Sequence, residues 1–330
     1  MSECVDVTEG LDWGHFVRTW WDRAPVLLRG VSSVPFIESE VFRAAAAATA
    51  LGGRLSVPLT SMVVEGVQGA TAALLPVTGD GGFDGYERRV AAQLPAGARY
   101  AVTTPWFHCL DEALWTRERH FLAPLWELVG LPVTGAITTM FHGPYTSTPV
   151  GVHKDRFATC MVGLRGRKRM RFWSARPWSS DASSVQDYAE HLDSSFTADV
   201  GPGDVLYWPA GYYHVGEGLG GIPATSVNIG LPRTEHTARY EVQDLLTTTP
   251  FRTLVDPSTA AATGYPAVTA SLRASGPDTT GRLPAELPPA FQQAAGLLSD
   301  PRLSAHAREV SQRRWAAGGL QPTPEESPRS

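Results

Sequence analysis

The stretch "PGDVLYWPAGYYHVGEG" (residues 202–218) reads as an apolar strand, a turn marked by Pro209 and Gly211, and a second strand that opens on His214. The turn places a histidine where one strand gives way to the next. Working outward, the chain from Ala136 to about Asn228 alternates short β-prone runs with Gly and Pro breaks. That pattern indicates a β-barrel or sandwich.

Upstream in the same region lies "GVHKDRFATCMVGLRGRKRMRFW" (151–173), which reads as one β-hairpin turning at Leu164-Arg165-Gly166. In a strand, residues i and i+2 share a face, so His153 and Asp155 point the same way. Together with the turn-borne His214 they form two histidines and one carboxylate, the facial set of non-haem Fe(II) oxygenases, which leaves coordination positions open. The chain has 28 basic residues, and its only lysines, Lys154 and Lys168, both fall in this stretch. A two- or four-residue hairpin loop puts Lys168, Met170 and Phe172 on the face of His153, Asp155, Phe157, Thr159 and Met161. A three-residue loop reverses the assignment, and the residues leave both registers open. On the first register an ammonium is buried near the metal, where it needs an anion. A dicarboxylate chelating iron at one end supplies that anion at the other. Lys154 and Cys160 then face away from the metal, Lys154 as surface decoration or as a substrate contact at the rim.

The residues from Gly203 to His214 follow G-x5-P-x-G-x2-H, which resembles the second motif of the cupin barrels. The pair of stretches looks like the JmjC-type, cupin-fold 2-oxoglutarate oxygenases, particularly the ribosomal-oxygenase branch, and is similar to the asparaginyl hydroxylase of the hypoxia response. The matching residues are Val150–Gly151, His153, Asp155, Gly166, Lys168, and Pro202 to His214, with "FVRTWWDRAPVLLRG" similar to the family's opening. The resemblance spans about residues 11–233. It implies a mainly β double-stranded β-helix (jelly-roll, cupin) core with flanking helices, and Fe(II) held by His153, Asp155 and His214. It further implies 2-oxoglutarate as co-substrate with its far carboxylate on Lys168, and polar help from Thr159 and Asn228. The 136–151 run offers no residue assigned to that contact. Lys154 stands where an aromatic residue is common, and the C-terminal region is shorter than the family's dimerisation and winged-helix module.

The expected layout is an oxygenase domain at 1–233 with its β core at about 136–233, a helical region at 234–318, and a disordered tail at 319–330. Within the first part, helices are expected at 12–23 with Asp12 as N-cap, at 36–53, and twice between Trp106 and Val129. Strands are expected at 25–30, 54–64, 72–77 and 98–103, with a glycine-rich loop at 79–85. Thirty-three acidic residues give a net charge of −5, which argues against nucleic acid as the main partner. No apolar run is long enough to span a bilayer. The start "MSECVDVTEG" lacks the plan of a signal peptide, and three scattered cysteines suggest neither a disulfide framework nor structural zinc. A cytoplasmic enzyme is the expectation, and its C-terminal helices would serve a homodimer.

Residues 177–232 contain no Lys or Arg but seven acids, Asp181, Asp187, Glu190, Asp193, Asp199, Asp204 and Glu217. An acidic rim there would attract a basic peptide or protein; a solvated loop is the plain alternative. Hydroxylation of a protein side chain with O2 is therefore the expected activity. Hydroxylation of a small natural product or free amino acid is the first alternative, and a non-catalytic cupin-like binding module the second. His108, His120 and His142 are expected to be structural or exposed.

Overall fold

The computed structural model describes residues 3–55, 59–68, 72–130 and 136–231, with residue 301 besides. The expectations for 234–318 and for the tail 319–330 lie outside these residues. In chain order the elements are β1 (Asp6–Glu9), α1 (Trp13–Thr19), β2 (Val26–Arg29), α2 (Glu38–Leu55), β3 (Ser61–Val64), β4 (Val67–Gln68) and α3 (Phe83–Ala91). Then come β5 (Tyr100–Pro105), α4 (Glu112–Val129), β6 (Ile137–Gly143), β7 (His153–Lys154), β8 (Ala158–Arg165) and β9 (Lys168–Trp173). The series ends with β10 (Phe196–Val200), β11 (Val205–Trp208), β12 (Tyr213–Gly218) and β13 (Ala224–Leu231).

Among the described residues two sheets form, giving a mixed α/β architecture. The larger runs β1-β2-β11-β8-β13-β6-β5-β3-β4 and the smaller β10-β9-β12-β7. Strand β8, "ATCMVGLR", is apolar on both sides of its pleat because both faces are covered. Ala158, Cys160 and Val162 pack with Phe16, Phe42 and Leu122 from the helices. Met161 faces the other way, against Met170 and Phe172 of the small sheet and Leu206 and Trp208 of the large one. The site lies on this second, inter-sheet side.

Local chemistry sets the helix starts. Asp12 accepts a hydrogen bond from the His15 N–H at 3.0 Å, and Asp111 accepts one from the Leu114 N–H at 2.9 Å, so α1 and α4 begin on capped ends.

Two expectations are corrected. First, β8 and β9 are not a hairpin. β8 pairs with β11 and β13 in the large sheet, whereas β9 pairs with β10 and β12 in the small one. The chain crosses between sheets at Gly166, whose φ of +64° and contact with the Pro223 carbonyl suit only glycine. Lys168, Met170 and Phe172 are all buried, the latter two in the cluster between the sheets. Second, 72–77 is not a strand but a single 3-10 turn, Ala72–Leu74. Its carbonyls meet side chains instead of a ladder: Tyr86 donates to Leu74 at 2.9 Å and Arg89 to Leu75 at 2.7 Å. Helix α3 likewise begins within the expected 79–85 loop, at Phe83. The N-terminal strands belong to the larger sheet, β2 beside β11 and β5 beside β6.

Candidate active site

Strand β7 is brought to its place by Gly151, which has a φ of +72° and packs so closely on Val185 that an added Cβ would lie 2.2 Å from the Val185 carbonyl oxygen. β7 then pairs with β12 so that His153 stands opposite His214 and Lys154 opposite Tyr213. The imidazole centroids are 4.5 Å apart. Asp155 turns one oxygen to each ring, 3.5 Å from His153 Nε2 and 3.5 Å from His214 Nε2. One potential ligand atom from each of the three residues falls within 4.8 Å of the others. Each ring is steadied from behind, His153 Nδ1 at 3.0 Å from the Gly151 carbonyl and His214 Nδ1 at 3.2 Å from that of Tyr212. A proton on Nδ1, donated to those carbonyls, leaves both Nε2 atoms free to bind a cation.

The electrostatics fit a cation. Burial works against the Asp155 charge, but hydrogen bonds from His153 and His214 outweigh it and hold the carboxyl well below its usual range. Burial alone would lower His153, yet Asp155 and the Gly151 carbonyl together raise it above its ordinary value.

The triad opens on a cavity of about 150 Å³ that Thr159, Lys168 and Asn228 also line. All six residues singled out in the sequence therefore meet in one place. Lys168 is 4% exposed; its ammonium donates to Ser226 Oγ at 3.3 Å and lies 5.0 Å from the Phe141 ring and 5.5 Å from that of Tyr145. Among the described residues, no carboxylate pairs with it. Thr159 Oγ1, Asn228 Oδ1, Tyr145 Oη and Trp208 Nε1 are buried without hydrogen-bond partners.

Residues 121–238 match the sequence profile of the JmjC domain. No curated protein gives a significant match. Among solved structures, one of E. coli YcfD is similar at 16% identity and a TM-score of 0.44, covering 91% of this chain and 70% of that one. A structure of the E. coli ribosomal oxygenase YcfD in complex with cobalt and 2-oxoglutarate is similar at 16% identity and a TM-score of 0.42, covering 92% of this chain and 71% of that one.

Around the cavity, sequence reasoning missed Ser226, Tyr145 and Thr148. Ser226 was within reach, since it lies two positions before Asn228 on the same strand and shares its face. Tyr145 follows β6 in an irregular run without periodicity. Lys154 is exposed, its ammonium 5.4 Å from the Tyr213 ring, on the side of the sheet away from the cavity. Cys160 is buried under the helices. His120 is exposed, whereas His108 and His142 are fully buried, and burial pushes each down to about 3.

The acidic segment is less free than its composition suggests. Asp199 pairs with Arg169 at 2.7 Å, Asp204 with Arg29 at 2.5 Å, and Glu217 with Arg171 at 2.7 Å. Asp181, Asp187, Glu190 and Asp193 remain exposed. They lie on a connection tied to the chain just before β7, where Val152 and Val185 exchange backbone hydrogen bonds of 2.8 and 3.1 Å. Among the described residues no helix is long and apolar enough to cross a membrane.

Proposed function

We propose that this protein is an Fe(II)- and 2-oxoglutarate-dependent oxygenase, built on a double-stranded β-helix, that hydroxylates a side chain of a protein or peptide. One observation carries the reading: a His153–Asp155–His214 set shares a cavity with the buried ammonium of Lys168, which has no anion among the described residues. Two imidazoles and a carboxylate suit Fe(II) and leave room for a chelating co-substrate. The fit at the other end rests on unsatisfied polar atoms. A buried ammonium is costly without a counter-ion. The hydroxyls of Thr159 and Tyr145, with Asn228, offer hydrogen bonds that nothing among the described residues consumes.

With iron and 2-oxoglutarate bound, the site supplies oxidation of a C–H bond by O2, coupled to decarboxylation of 2-oxoglutarate to succinate and CO2. The chain's own residues do the positioning. His153, Asp155 and His214 hold the cation, and the Gly151 and Tyr212 carbonyls fix the imidazole orientations. Lys168 and Ser226 hold the distal carboxylate, with Thr159 and Asn228 lining the way between the two ends. The inter-sheet apolar cluster around Met170, Phe172 and Trp208 keeps water from the back of the site. The exposed acids beside β7 favour a basic peptide as substrate. In a screen of peptides and lysate fractions, a one-oxygen mass gain should require enzyme, iron and 2-oxoglutarate together. Turnover confined to free small molecules would overturn the protein substrate. Absence of succinate formation under every condition would overturn the oxygenase.

A further inference from the structure

We infer that Gly216 sets how far the Lys168 ammonium reaches into the cavity, and thereby which length of dicarboxylate the site accepts; this rests on the oxygenase reading above. β9 and β12 pair with Lys168 opposite Gly218 and Met170 opposite Gly216, so the lysine stem runs diagonally over Gly216. A Cβ added at Gly216 would lie 2.5 Å from Lys168 Cε, 3.0 Å from Nζ and 3.1 Å from the Thr148 methyl. The lysine occupies the space a side chain would fill. Gly216 itself cannot retreat, because its N–H donates to Thr148 Oγ1 at 3.3 Å and its carbonyl accepts the Thr148 N–H at 2.8 Å.

The ammonium is also flanked by the Phe141 and Tyr145 rings and by Ser226. A methyl at Gly216 therefore pushes the lysine toward the cavity that both residues line. The displaced group is the end of a flexible side chain, so it moves without breaking the sheet. An ammonium standing further into the cavity shortens the span from metal to cation. A five-carbon diacid then loses more than a four-carbon one. Gly216 is thus a positioning residue that acts through Lys168.

The two lysines of the chain make a direct test available. In protein labelled at lysine Cε, two signals should appear, and Lys154→Arg assigns them by removing one. Gly216→Ala should move the Lys168 signal and leave that of Lys154 in place. Calorimetry on anaerobic, Mn(II)-loaded protein then compares 2-oxoglutarate, oxaloacetate and 2-oxoadipate. Gly216→Ala should weaken 2-oxoglutarate by about ten- to a hundred-fold, part of the loss that removing a buried charge partner causes, and oxaloacetate by less. Thr148→Ser keeps the hydroxyl and removes the methyl that closes the seat, so the relative affinity for 2-oxoadipate should rise. This variant decides the matter should Gly216→Ala fail to fold. An unmoved Lys168 signal, or equal weakening of all three diacids, would overturn the role of Gly216 alone. Wild-type protein that binds none of the diacids would overturn the oxygenase reading and this inference with it.

Discussion

At the scale of residues, the centre is governed by protons as much as by geometry. A divalent cation must take the places of protons shared among His153, Asp155 and His214. His153 sits above its ordinary value of 6.5 in the folded, metal-free protein. Metal affinity should therefore fall as pH drops through that raised value, and binding should release protons. Mn(II) calorimetry in buffers of different ionisation enthalpy, between about pH 6 and 8, reads both effects. A pH-independent affinity would remove His153 from the ligand set. For the metal-free fold the sign is opposite. A raised imidazole stabilises below about 6.5, and that contribution is lost as pH rises through the folded value. The two lysines separate just as cleanly. Lys168→Ala should cost about 2–5 kcal/mol of 2-oxoglutarate binding, since it strips one partner from a buried charge pair. Lys168→Arg should recover part of the loss, a planar fork replacing a compact ammonium. Lys154→Ala should bind as wild type, and the reverse pattern in a 2-oxoglutarate titration would show that the faces are misassigned.

At the scale of elements, faces were legible in the sequence and partners were not. The period of two that sets His153 and Asp155 together is local, as is the Pro209–Gly211 turn that delivers His214. The choice of β11 and β13 as neighbours of β8, rather than β9, is made by distant segments and leaves no mark on residues 158–173. Of the two registers left open for Lys168, the inward one agrees with the cavity lining, although β8 and β9 pair with different strands. Helix α4 brings a second feature hidden from the sequence. Glu118 is fully buried where α4 meets β6, accepting a hydrogen bond from the Thr138 hydroxyl, with His108 Nε2 at 4.0 Å. Burial pushes Glu118 up to about 8 against a lesser pull from Thr138. The folded protein then holds a proton that the unfolded chain releases above about 4.5, so stability falls as pH rises from there toward about 8. Glu118→Gln should flatten that slope and raise the melting temperature near pH 8, by roughly 2–4 °C per kcal/mol regained. A variant that melts lower than wild type at pH 8 would mean that the carboxylate is ionised and paired in the fold.

At the scale of the whole molecule, charge is the property that reaches beyond the cavity. The chain carries a net charge of −5, but its distribution matters more than its sum. Three of the seven acids in 177–232 are spent on Arg29, Arg169 and Arg171, which hold the sheets and their edges together. Four remain in solvent on the connection that Val185 ties to Val152, the residue before β7. Exposed charges act on encounter and are screened over about 8–10 Å at ordinary ionic strength, whereas contacts inside the cavity are screened much less. With a basic peptide substrate, added salt should therefore lower kcat/KM and leave kcat nearly unchanged. Neutralising Asp187, Glu190 and Asp193 together should reproduce the salt effect at low ionic strength and abolish further salt dependence. Asp199→Asn should behave differently, because it removes a partner of Arg169 and so acts on stability before it acts on encounter. Were kcat/KM insensitive to salt, or the triple variant to keep the wild-type salt slope, the exposed acids would be a solvated surface and the substrate would be selected by the cavity alone.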